Sequence, residues 1–139
     1  MAVKRLITKK MGFSASHRYW NPDWSEEENR SVFGKLSGEY GHGHNFELEV
    51  TFEGDVDAQT GMIINLFDIK SILIDVLKDF DHKYLNEDNE NFKDIIPTPE
   101  NMAKVLWGLV EKRIENYENC KLYNVRLYET KDFYVDYRR

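Results

Sequence analysis

The segment His42–Phe52 (HGHNFELEVTF) constrains this chain more than any other. Its even positions read His42, His44, Phe46, Leu48, Val50 and Phe52; Asn45, Glu47, Glu49 and Thr51 hold odd positions. A period of two places alternate residues on opposite faces of a strand, so the even set forms one buried face. His42 and His44 extend that apolar face and point the same way. A strand apolar on one face only needs neighbours in a sheet and a layer to cover it.

The rest of the chain supplies both. Asn65–Phe80 has helical spacing, with Ile69, Ile72, Leu73, Val76, Leu77 and Phe80 on one side. Asn65 is placed to cap it, and Asp68 falls in its first turn. A second helix is expected to start after Thr98, a capping residue, with Pro99 at the first helical position and Glu100 beside it. Met102, Val105, Leu106, Leu109 and Val110 form its stripe. Near the end, Tyr123, Val125 and Leu127 alternate with Asn124 and Arg126, Glu129 continues the same register, and Thr130–Asp132 turn into a last strand, Phe133–Tyr137. A less regular first strand covers roughly Lys4 to Ser16. Arg18–Gly41 reads as one long aromatic and acidic loop, of the kind that often carries function. The expected fold is α+β: a four-stranded antiparallel sheet with two helices on one face, in a single domain over residues 1–139.

Composition excludes several functions. The net charge is −6 and Lys and Arg are scattered, so nucleic acid is not an expected partner. A locally positive pocket can still take a small anion. No apolar run is long enough to span a bilayer, so no membrane contact is expected. Met1–Lys10 has no apolar stretch of signal-peptide length, and a single cysteine, Cys120, permits no internal disulfide. Both point to the cytoplasm.

The chain has four histidines, His17, His42, His44 and His82. Neutral imidazole is the commonest zinc ligand type, and three protein ligands with a fourth position open define a catalytic site. His17, His42 and His44 are the candidates. An H-x-H pair alone is more often two packed histidines; the glycine between them and the buried register narrow that margin. Asp81 beside His82 could form a proton shuttle, or simply be a histidine at a helix end. Glu129 could receive N–H donors from a ligand or pair with a core cation. Glu39 could act as a base beside a metal or be merely solvated.

Several segments together resemble the 6-pyruvoyl-tetrahydropterin synthase family. They are FSASH (13–17), SEEENRSVFGK (25–35), GHGHNF (41–46), TGMIINLFDIK (60–70), FDHKYLN (80–86), TPEN (98–101) and LYET (127–130), in family order. The resemblance implies the tunnelling fold, with subunits closing a trimeric barrel and two trimers stacking into a homohexamer whose active sites lie between subunits. It implies zinc on His17, His42 and His44, a pterin ring anchored by Glu129, Thr98 near the pterin, and Asp81–His82 as proton relay.

One departure directs the functional expectation. Biopterin-pathway members carry a catalytic cysteine where this chain has Leu36, and queuosine-pathway members carry theirs where it has Gly38. Glu39, in EYGHGH, instead resembles the variant with an E-x-x-H-G-H motif. Those members cleave 7,8-dihydroneopterin triphosphate to 6-hydroxymethyl-7,8-dihydropterin for folate synthesis. The expectation is therefore a zinc-dependent pterin lyase with Glu39 as catalytic base. The alternatives are a 6-pyruvoyl-tetrahydropterin synthase, an inactive zinc- and pterin-binding homologue, and an unrelated zinc hydrolase.

Overall fold

Strand β1 (Arg5–His17) runs antiparallel to β2 (His42–Gly54) along their whole lengths, from Arg5 opposite Gly54 to His17 opposite His42. The computed structural model describes residues 4–139; Met1–Val3, the start of the segment read for a leader, lie outside the described residues. β2 buries Phe46, Leu48, Val50 and Phe52, the alternation read from its sequence. β1 answers with Phe13 and Ala15, and Phe13 stacks on Phe46 with ring centroids 5.1 Å apart.

Two long helices cover this face. Helix α2 (Leu66–Leu77) starts where Asn65 accepts the Phe67 N–H; it ends before Phe80, which is nevertheless fully buried. A long helix at Pro99–Ile114 starts where Thr98 accepts the Asn101 N–H at 3.2 Å. Its inward residues include Ala103, Trp107 and Ile114 besides Met102, Leu106 and Val110, whereas Val105 and Leu109 are only partly buried. No helix of the described residues is long and apolar enough to cross a membrane.

The structure corrects the expected layout in three places. The segment expected to be one loop contains helix α1 (Glu26–Phe33) and a 3₁₀ turn, Gly34–Ser37. Ser25 caps α1 by accepting the Glu28 N–H, and three glutamates fill its first turn, favoured there by the helix dipole. Second, the sheet has five strands. Strand β3 (Lys83–Tyr84) pairs in parallel with β1, just before the short helix α3 (Leu85–Asp88), so that the helix at Pro99–Ile114 is α4. Third, β4 (Cys120–Thr130) carries an irregularity opposite Thr51/Phe52: Thr51 pairs with Asn124 and Phe52 with Leu122. Tyr123 is skipped, so Leu122 rather than Tyr123 packs against the core; an extra residue in one strand interrupts its alternation. The last strand, β5 (Phe133–Tyr137), completes the order β3-β1-β2-β4-β5.

Candidate metal centre and active site

The β1–β2 register decides the site. It sets His17 directly across from His42, with His44 two residues further along β2, opposite Ala15. Gly41 makes the approach possible. Its φ is +70°, and a Cβ there would lie 2.8 Å from the His17 carbonyl oxygen. Only glycine tolerates that combination.

The three imidazoles converge, with centroids 4.5 Å (His17–His42), 5.1 Å (His42–His44) and 5.6 Å (His17–His44) apart. One ligand nitrogen from each lies within 4.8 Å of the others, so the cluster could hold a metal ion. All three Nε2 atoms are buried without a hydrogen-bond partner among the described residues. His17 is fully buried, and its Nδ1–H donates to the Pro97 carbonyl at 2.6 Å. That bond fixes the tautomer and leaves Nε2 free, the usual outer-shell arrangement of a metal-bound histidine. Burial, outweighing the Pro97 bond and aided by the neighbouring imidazoles, lowers the pKa of His17 to about 4; burial and His44 also lower that of His42. Burial thus favours the neutral, lone-pair-bearing form of His17 and His42, and the three residues fit a metal of the zinc type.

Glu129 ends the apolar face of β4 and reaches this cluster. Its oxygens lie 3.7 Å from His17 Nε2 and 3.6 Å from His44 Nε2. Both distances are too long for hydrogen bonds, and burial keeps His17 neutral at pH 7. Glu129 also lines a cavity of about 270 Å³ with Tyr19, Glu100, Phe133 and Tyr134. Tyr19, which the sequence reading missed, lies edge-on to His17, and burial followed by Glu129 and Glu100 pushes its phenol pKa up. Its spacing two residues beyond His17 continues the Phe13, Ala15, His17 alternation and was the available signal. The Pro97 carbonyl had none.

Other expected residues lie elsewhere on the chain. Asp81 accepts the Ser14 N–H at 2.9 Å and contacts His82 Nδ1 at 3.0 Å, and the Ser14 bond is the first cause of its lowered pKa. His82 has φ +60° and a side chain 81% exposed. A non-glycine residue held there by its neighbours is a mark of functional loops. Both line, or adjoin, a groove formed by Ser14, Ser16, Gly43, His44 and Asn45. Glu39 is exposed in the turn closed by the Gly41 N–H on the Gly38 carbonyl. Leu36 is 39% exposed. The Thr98 hydroxyl caps α4, next to the Pro99 and Glu100 of the Glu129 cavity. Thr98→Ala should cost about 0.5–2 kcal/mol in a denaturant titration, and Thr98→Ser should restore most of it. Cys120 is buried, and burial pushes its thiol up to about 11, which disfavours the reactive thiolate.

A five-stranded α+β sheet that places three converging histidines and a carboxylate at one end defines a small enzyme with a candidate metal site. A family model, 6-pyruvoyl tetrahydropterin synthase, matches residues 6–139, and the chain belongs to that family. The chain is 39% identical over 133 residues to the 6-pyruvoyl tetrahydrobiopterin synthase of Pongo abelii, covering 95% of this chain and 90% of the other. It is 28% identical over 134 residues to a dihydroneopterin monophosphate aldolase of Pyrococcus furiosus, covering 96% and 97%. Among solved structures it matches Caenorhabditis elegans 6-pyruvoyl tetrahydropterin synthase with TM-score 0.93 and 32% identity, over 99% of this chain and 97% of that one.

Proposed function

We propose that the chain is a cytoplasmic zinc-dependent lyase that cleaves 7,8-dihydroneopterin triphosphate to 6-hydroxymethyl-7,8-dihydropterin, serving folate synthesis. The observation that carries this reading is a cluster of metal-ligating histidines and Glu129 beside a ring-sized cavity, in a chain with Leu36 at the thiol position and a carboxylate, Glu39, before His42.

His17, His42 and His44 hold the metal; when bound, zinc supplies Lewis-acid stabilisation of negative charge developing on the substrate's side-chain oxygens. Glu129 accepts the N–H donors at the pyrimidine end of the pterin, a bidentate contact that fixes a planar heterocycle in one orientation. Tyr19 and Phe133 close the walls of the cavity. Glu39 takes the proton from the 2′-hydroxyl. The C1′–C2′ bond then breaks, its electron pair moves into the pterin ring, and C2′ leaves as the aldehyde carbon of glycolaldehyde triphosphate. His82, oriented by Asp81, returns a proton to C1′. Within one chain Glu39, Asp81 and His82 face outward while the histidine cluster is buried, which is consistent with sites completed by neighbouring subunits. Open edges at β3 and β5 would pair in such an assembly. Light scattering at micromolar protein should therefore give the mass of six chains; a mass of one chain of 16.5 kDa would count against it.

The second reading, a 6-pyruvoyl-tetrahydropterin synthase that eliminates triphosphate, is favoured by the name 6-pyruvoyl tetrahydrobiopterin synthase of relatives at 35–40% identity over 95–96% of this chain. Purified protein incubated with dihydroneopterin triphosphate, with products identified by mass, separates the two. Hydroxymethyldihydropterin supports the first reading; pyruvoyltetrahydropterin alone replaces it with the second.

A further inference from the structure

The Glu129 carboxylate faces the wrong partners for a bare core acid. The Pro97 carbonyl can only accept, so His17 Nδ1 carries the proton of the neutral ring and Nε2 presents a lone pair. That lone pair looks at a Glu129 oxygen 3.7 Å away, and His44 Nε2 stands 3.6 Å from the other oxygen. Glu129 Oε2 is buried with no hydrogen-bond partner among the described residues, as are all three imidazole Nε2 atoms. Among the described residues no Lys or Arg comes within ion-pair range of Glu129. His17 Nε2 and Glu129 Oε2 are thus facing acceptors with no donor between them, an arrangement that a cation would hold together. Neighbouring ligands of a tetrahedral metal with bonds of ~2.0–2.1 Å stand about 3.3 Å apart. One Glu129 oxygen comes near that spacing to His17 and the other to His44, while the carboxylate lies outside the 4.8 Å cluster that the three histidines form, so joining them on a metal requires it to turn towards His42.

We infer that Glu129 is a fourth ligand of the metal in the pterin-free protein, and that it leaves the metal to hold the pterin. The inference rests on the three-histidine metal reading and deepens it. One carboxylate cannot do both tasks together, because both its oxygens now face the histidines, while the ring would sit in the cavity that Glu129 lines with Tyr19 and Phe133. Arrival of the ring's N–H edge turns the carboxylate towards the cavity. The metal's fourth position then opens only when a pterin is in place. In the empty protein that position is closed to water and stray anions by a group the chain supplies itself.

The test uses the full-length protein loaded with cobalt(II), whose visible absorption reports the number and kind of its ligands. Wild type should take up one cobalt per chain with the intense bands of a four-coordinate site. Glu129→Ala should change those bands and weaken cobalt binding by at least the ~10–100-fold typical of losing an outer-shell partner. A second measurement needs no variant. 6-Methylpterin lacks side-chain hydroxyls, and its binding is followed by its own fluorescence. At saturation it should shift the cobalt spectrum of wild type. Cobalt spectra and affinities that coincide in wild type and Glu129→Ala, or a spectrum unmoved by saturating 6-methylpterin, would overturn the inference while leaving the three-histidine site intact. Failure of wild type to take up cobalt would remove the metal reading and this inference together.

Discussion

Glu39→Ala should form product about 10²–10⁴-fold more slowly than wild type, the usual contribution of a well-placed general base, with metal content unchanged. Glu39 is exposed at the tip of a turn whose Gly38–Gly41 hydrogen bond, 3.0 Å, is made by backbone alone. Among the described residues its side chain makes no hydrogen bond or ion pair, so its removal should alter folding stability by no more than ~0.5 kcal/mol. A loss of rate with an unchanged melting curve and unchanged metal content would therefore locate the effect in chemistry. Leu36→Ala is the control: a half-exposed apolar residue on the Gly34–Ser37 turn should affect packing more than rate. If Glu39→Ala turns over as fast as wild type, the base must be sought at His82, and the folate-type assignment falls.

The second large effect belongs to His42. Replacing it with alanine removes one of three ligand nitrogens and should strip the protein of metal after dialysis, taking product formation to background. His42 is the informative choice because it is only half-buried. His17 is fully buried and holds the Pro97 carbonyl, so His17→Ala would confound metal loss with a cavity and an orphaned acceptor. Removing the metal from wild type with a chelator should also lower its melting temperature. Ligand linkage contributes about 2.7 kcal/mol when the free metal stands at a hundred times its Kd. Metal analysis showing one ion per His42→Ala chain at wild-type affinity would refute the three-histidine site.

Much of this was legible in the sequence because local rules dominate there. The β2 alternation, the Asn65 and Thr98 caps and the final hairpin each depend on residues within a few positions of one another, and each stands in the structure. α1 was legible too, through Ser25 followed by three glutamates, but the aromatic and acidic character of 18–41 obscured a helix with little apolar face. The Tyr123 irregularity was not, since a strand's register is a property of the pair: only packing against Phe52 selects Leu122. β3 is two residues long and exists through its backbone pairing with Ala15 and Ser16, which no local pattern announces.

By itself the sequence determined that His42 and His44 share one buried strand face, because a period of two needs no partner to be read, and its motifs named the family. Tertiary structure alone decided that His17 lies across from His42, that Pro97 fixes its tautomer from far along the chain, and that Glu129 approaches His17 and His44. The physical reason is the reach of the forces involved. Alternation and capping act over a few residues, whereas strand register and the meeting of buried acceptors are set by the burial of a whole core, which long-range pairing brings together.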